Sequence, residues 1–379
     1  MTQNEPTPHR RRPRYRGTHP ARFDQKYKEL SPDKYPQMQQ HVRAHGRTPA
    51  GTHVPVLLAE VLACLRPAPG ETTADCTIGY GGHAMEFLKR IGHGGRLVGF
   101  DVDGAQLERA RKRLEPLGVP MILHRMNFAG LAKVIGEQEE EENAGGTPAI
   151  REGETPSVRM GKMPTPLDII FADLGVSSMQ IDDPSRGISY KAEGPLDMRM
   201  DDRIQSTGAD LLARLPQEDL SRALWELADE PDHGRIAAFL VQQRQVQPVT
   251  TTGQLMRLVF HAKGTTEKAW RKRAAYEDLH PAARTFQALR ILVNDELGSL
   301  RELLRVAPAC LKPGGRIGII SFHSGEDHLV KNAFREGFHT GVWSATSPKP
   351  IVPGYAEVRA NPRSASAKFR WAVRPGPLK

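Results

Sequence analysis

An α/β architecture, a doubly wound parallel sheet interrupted by an inserted all-helical domain, is predicted by three features of this 379-residue sequence. Short apolar strands alternate with helical stretches from His53 to Asp173, the pattern of a parallel sheet covered by helices. From about 195 to 281 no strand pattern occurs, while apolar residues recur at helical spacing: Leu220, Leu224 and Leu227, then Ile236, Phe239 and Leu240. A long helix, 283–307, then returns the chain to one more strand.

Each element has its own warrant. Residues 53–64 read as an entry segment and helix, and 72–77 as a short strand running into a glycine-rich loop. A helix at 84–91 leads to a second strand, 96–100, that closes on Asp101. Next come a helix at 105–114, a third strand at 120–124 and a fourth at 167–172 that ends on Asp173. Leu311 to Gly315 reads as a turn and 316–322 as the late strand. Residues 137–166 carry an acidic run, paired glycines and several prolines without an apolar period, which predicts a flexible surface excursion. The expected domains are a basic arm (1–50), a catalytic domain (51–194 and 282–379) and a helical substrate-recognition domain (195–281).

Charge and composition narrow the function. The net charge is +9, and residues 1–50 hold eleven Lys/Arg against four Asp/Glu, a net +7, so the excess is an arm and not a uniformly basic surface. His9-Arg10-Arg11-Arg12-Pro13-Arg14-Tyr15-Arg16 suits a phosphate backbone, with Tyr15 available for stacking. A solubilising tail is the competing reading, and a transit peptide is opposed by Glu5, scattered prolines and little serine. No apolar run approaches the roughly 20 residues a membrane span needs. Three unpaired cysteines, Cys64, Cys76 and Cys310, argue against a disulfide framework or a zinc site and fit a cytoplasmic protein.

The chemistry sits at strand ends. Asp75-Cys76-Thr77-Ile78-Gly79-Tyr80-Gly81-Gly82-His83 turns a strand through glycines into a helix, and Asp101 follows nineteen residues after Gly82 at the tip of the next strand. Glycines let backbone approach a ligand closely, and an acid at the second strand's tip accepts both ribose hydroxyls, so the pair predicts an adenosine site. A plain Gly-rich turn is the competing reading. The spacing is not G-x-G-x-x-G, which turns the reading away from nicotinamide dinucleotides and toward a cofactor with an amino acid and a sulfonium. Asn127-Phe128 offers a ring for adenine or merely for the core. Asp173 closes the fourth strand where reacting groups of α/β folds gather.

In series, His53-Val54-Pro55-Val56-Leu57-Leu58, Gly81-Gly82-His83, Asp173-Leu174-Gly175-Val176-Ser177-Ser178, Gln180, Gly194-Pro195-Leu196-Asp197-Met198-Arg199-Met200, His280 to Arg290 (HPAARTFQALR) and Ile320-Ser321-Phe322-His323-Ser324 resemble the signatures of the bacterial 16S rRNA cytosine-N4 methyltransferase family, the MraW type. They run in family order from about His53 to Trp371. The resemblance implies a Rossmann-like sheet, S-adenosylmethionine as methyl donor, and small-subunit ribosomal RNA or the assembled small subunit as partner, with oligomeric state left open. It places cofactor contacts on Gly81, Gly82, His83, Asp101, Phe128, Asp173 and Gln180. The sequence departs from the family at Cys76, Ile78, Tyr80, Met179 and Gly325, none of them a polar cofactor contact.

Methylating an exocyclic amine demands alignment and an acceptor for its N–H groups. Asp173 is the first candidate, with Ser177 and Ser178 as orienting hydroxyls; the alternative gives Asp173 to the donor's ammonium alone. His323 either positions the base, takes the proton, or is structural. His328, Glu326 and Asp327 near His323 invite a metal reading, but two His five apart with no third ligand argue against it, so no metal is expected. Arg199, Arg203, Arg284 and Arg290 are candidates for RNA phosphates, against the plain reading of solvated helix faces. A DNA amino-methyltransferase is disfavoured because no Asp/Asn-Pro-Pro-Tyr-type run follows the fourth strand. A non-catalytic ribosome-assembly factor is opposed by Gly81-Gly82 with Asp101 and Asp173 all present.

Overall fold

The computed structural model describes residues 55–136, 166–273 and 279–377. The basic arm, His53, Val54, most of the acidic excursion and the side chain of Ser178 lie outside the described residues.

Five parallel strands form the sheet's body: β1 (Thr72–Asp75), β2 (Arg96–Asp101), β3 (Met121–Arg125), β4 (Leu167–Asp173) and β5 (Leu311–Ser321). Antiparallel β6 (Ala345–Thr346) and β7 (Lys368–Val373) complete a seven-stranded order, β3-β2-β1-β4-β5-β7-β6. The doubly wound class read from the alternation is therefore the one observed. The chain order reverses between β1 and β4, which leaves a crevice beyond their carboxyl ends, where such folds bind ligands. All four β1 residues are buried, as expected of a strand covered on both faces.

Helices α1 (Leu58–Leu65), α2 (Gly82–Ile91) and α3 (Gly104–Leu114) cover this half of the sheet. In α2 the buried residues His83, Ala84, Phe87, Leu88 and Ile91 recur at helical spacing, so one stripe meets the sheet while Lys89 and Arg90 face water near the C-terminus. Helix α4 (Ser178–Asp182) follows β4 directly.

Five helices come next: α5 (Gly208–Arg214), α6 (Gln217–Ala228), α7 (His233–Val246), α8 (Thr252–Ala262) and α9 (Glu267–Arg273). Leu212, Leu220, Leu224, Ile236, Leu240, Leu255 and Val259 build a core of their own. Phe286 and Leu289 of α10 (Ala283–Asn294) join that core, so the helical layer continues past residue 281.

Two departures from the sequence reading have local causes. The single helix expected over 283–307 is two, α10 and α11 (Glu296–Cys310), because Asp295 adopts a left-handed φ of 47°. Asn294 fixes the break: its amide donates to Met198 O and accepts from Met200 N, at 2.8 and 2.7 Å. The turn expected at 311–315 is absorbed into β5 as an irregularity, with β4 register passing from Leu167↔Leu311 to Ile169↔Arg316 and Gly314 at φ 79°. Helix α12 (Ser324–His339) and the short α13 (Tyr355–Ala360) close the fold around β7.

Candidate active site

The carboxyl ends of β1, β2 and β4 bring three acids together. Asp75 ends β1, Asp101 ends β2 and Asp173 ends β4. The loop between β1 and α2 is stitched to the sheet by Cys76 N–H to Phe171 O and Ile78 N–H to Phe100 O, at 2.8 and 2.9 Å. It turns through Gly79 and Gly81, at φ 48° and 73°, where a side chain would strain the backbone. Gly82 packs so tightly that an added Cβ would lie 2.9 Å from Pro55 Cγ.

Asp101 braces this loop as well as facing the crevice. Its Oδ2 accepts from Gly79 N–H at 2.9 Å and its Oδ1 from Asp103 N–H at 2.8 Å. Each oxygen keeps a second lone pair, which suits a diol. Burial raises the Asp101 carboxyl to about 6 despite those amides, and raises Asp75 to about 7, with the Asp101 charge adding to the shift.

Asp173 donates its own N–H to Thr77 Oγ1 at 2.6 Å, which locks the β4 end to the glycine loop. Its Oδ1 is enclosed without a hydrogen-bond partner, and its Oδ2 lies 3.6 Å from His83 Nδ1. Burial, then Asp75 and Glu326, push this carboxyl up to about 8. Among the described residues none of the three acids pairs with Lys or Arg. Such an edge fits a ligand that brings its own positive charge, as a sulfonium with an ammonium does.

Other sequence candidates carry structural duties. Gln180 accepts from Ser177 N–H at 3.0 Å and donates to Asp103 Oδ2 at 3.2 Å, joining the loops after β2 and β4. Arg186 pairs with the same Asp103 oxygen. Ser177 caps α4, its Oγ accepting from Gln180 N–H at 3.3 Å. Phe128 opens a short 3-10 turn and packs, partly buried, on the main core beside Met126 and Ile122.

His323 caps α12, with Nδ1 accepting from Glu326 N–H at 3.4 Å and Nε2 3.3 Å from Glu326 Oε1. The ligating atoms of Glu296, His323 and Glu326 lie within 4.8 Å of one another, a grouping hidden from sequence because Glu296 arrives from α11. The set is an ion network: Arg290 grips Glu296 with two bonds of 2.7 and 2.8 Å, and the cap leaves the imidazole hydrogen on Nε2, where a metal needs a lone pair.

The arginines offered for phosphates are engaged within the chain. Arg199 pairs with Asp197, Arg203 with Asp201, Arg284 with Asp229 O, and half-buried Arg290 with Glu296. Asp75, Thr77 and Asp103 were not singled out as contacts by sequence reasoning. Only Asp75 and Thr77 carried a signal, their place in the glycine loop.

A doubly wound sheet with an acid at the tip of β2 and a carboxyl edge unpaired with Lys or Arg among the described residues fits a methyltransferase that uses S-adenosylmethionine. The chain belongs to the MraW methylase family, whose profile matches residues 50–374. It is 40% identical over 368 residues to ribosomal RNA small subunit methyltransferase H 2 of Alkaliphilus metalliredigens, covering 96% of this chain and 97% of that protein. It is 38% identical to ribosomal RNA small subunit methyltransferase H 1 of Lachnoclostridium phytofermentans, covering 98% and 95%. Among the described residues no helix is long and apolar enough to cross a membrane.

Proposed function

We propose that this methylase transfers the methyl group of S-adenosylmethionine to the N4 amine of a cytosine in small-subunit ribosomal RNA. The substrate class comes from the relatives, which are named as small-subunit ribosomal RNA methyltransferases. The observation that carries the chemistry is the enclosed, unpartnered Oδ1 of Asp173 at the end of β4.

The donor supplies an electrophilic methyl on a sulfonium. Asp101 would accept from the ribose, the turn at Gly81, Gly82 and His83 would let backbone approach the donor's amino-acid end, and Phe128 would border the adenine. Gln180 acts by holding Asp103 and the β4 loop in register. Asp173 faces both the donor's ammonium and the incoming amine. The amine's lone pair is delocalised into the ring, so a carboxylate at its N–H groups favours pyramidalisation and balances the charge that develops on nitrogen. Ser177 supports this loop through its cap, and His323 holds Glu326 beside the acceptor.

The helices over 195–281 form a wall where an unstacked base is presented, since a duplexed cytosine amine is out of reach. The arm, with its net +7, supplies phosphate contacts. Incubating the protein with small subunits lacking the modification and isotope-labelled donor, then mapping fragments by mass, tests the reading. Label on one cytosine N4 is the expected result. Label on another base, or only on protein, refutes it.

A further inference from the structure

The contact between His83 and Asp173 does not balance in hydrogens. His83 Nε2 lies 3.0 Å from the carbonyl oxygen of Val56, which only accepts, so Nε2 carries a hydrogen. A neutral imidazole then has its lone pair on Nδ1, and Nδ1 faces Asp173 Oδ2 at 3.6 Å. With an ionised carboxylate, two acceptors would confront each other, the imidazole buried and the Asp173 side chain 26% exposed.

The groups around Asp173 do not relieve this. Asp75 stands at the end of β1, Asp101 at the end of β2, and Glu326 in the first turn of α12. Thr77 offers its oxygen to the Asp173 amide. His323 is turned to Glu326, and Arg290 is held by Glu296. Asp75 and Glu326 act on Asp173 as like charges, and among the described residues no Lys or Arg pairs with it.

We propose that His83 and Asp173 hold one shared proton in the donor-free enzyme and release it to solvent when the donor's ammonium binds, so that donor entry is coupled to proton loss. The inference rests on the reading of Asp173 as a donor contact. At 3.6 Å the pair is longer than a hydrogen bond, but a proton on either atom removes the repulsion between two acceptors. Burial raises the carboxyl and lowers the imidazole, to about 4, so the carboxyl carries it. His83 is thereby a positioning residue: its Nδ1 fixes the acid form of Asp173 in one rotamer. An order of events follows, since only the ionised carboxylate made by donor binding can accept both N–H groups of the target amine.

Calorimetric titration of the full-length protein with S-adenosylmethionine, in two buffers of different ionisation enthalpy, counts the protons. The range pH 6 to 7 keeps the donor's own amine, which as an α-amino group titrates near 8, mostly protonated. Wild-type protein is expected to release close to one proton per donor, and its affinity to fall by up to about tenfold per pH unit as pH drops. Asp173→Asn should abolish both effects, and His83→Gln, whose amide can donate to an ionised carboxylate, should reduce both. Donor binding without proton release in wild type overturns the inference and leaves the donor contact intact. Release that persists in Asp173→Asn assigns the proton to Asp75 or Asp101 and overturns it as well. An unchanged dissociation constant in Asp173→Asn at every pH refutes instead the underlying contact. A His83→Gln protein that loses affinity equally at all pH values shows a merely structural histidine.

Discussion

Asp173 and Asp101 are both strand-end acids, the reading proposed above assigns them different work, and substitution separates them. Asp173→Asn keeps the shape and the Thr77 bond, which uses the main-chain amide, but removes the charge that balances the developing amine cation. Single-turnover methylation at saturating donor and RNA should slow by about a hundredfold, the scale of about 3 kcal/mol for a preorganised electrostatic group. A wild-type rate under saturation would make Asp173 a binding residue only. Asp101→Ala acts at the binding step: loss of a charge-assisted ribose contact weakens donor affinity by about 1.5–3 kcal/mol. An unchanged donor dissociation constant removes that assignment. Both acids were legible because a strand ending in Asp beside glycines has few other uses. The His83–Asp173 contact was not, since it joins residues ninety positions apart through the β1–β4 register, which no local pattern encodes.

At the scale of elements, the capping residues show where reading by residue type falls short. Ser177 and His323 are nucleophile and base by chemical type, but each begins a helix and accepts a hydrogen bond from the third residue on. The spacings Ser177-x-x-Gln180 and His323-x-x-Glu326 carry that signal in the sequence, the first as a capping box. The split of the long 283–307 helix was hidden, because apolar periodicity continues through Asp295 and only a tertiary latch reveals the break. Asn294→Ala tests that latch. It leaves Met198 O and Met200 N without partners beside the helical core, and should cost about 1–3 kcal/mol in denaturant unfolding, with α10 and α11 becoming less fixed relative to the 195–200 segment. Stability equal to wild type would mean the two backbone groups find other partners.

For the whole molecule, charge is distributed by role, with the arm carrying most of the positive excess and the sheet edge a knot of acids. Deleting residues 1–50 should leave donor affinity intact while weakening RNA binding and flattening its salt dependence; equal salt slopes would make the arm passive. The acid knot predicts an unusual pH dependence of stability. Asp75, Asp101 and Asp173 are raised to about 7, 6 and 8, above the range of an unfolded aspartate, so the folded state holds protons that the unfolded chain has lost. Stability from these groups is therefore fully present below about pH 4 and falls as pH rises from there to the folded values of 6 to 8, with a slope of up to about 1.4 kcal/mol per pH unit for each proton held. Buried His83, lowered to about 4, works in the opposite sense below about 6.5, where the unfolded imidazole begins to charge. Between pH 6.5 and 8.5 the carboxyls dominate. The three titrate as a coupled set, so one broad transition is expected and not three. Donor-free protein should melt several degrees higher at pH 6.5 than at pH 8.5, and saturating S-adenosylmethionine should shrink that difference, because its cation replaces the protons at the acid edge. Calorimetric melting with and without donor checks this. A donor-free melting temperature that climbs from pH 6.5 to 8.5 would show that the carboxyls are ionised without the donor, and that their charge is balanced by groups other than the ligand.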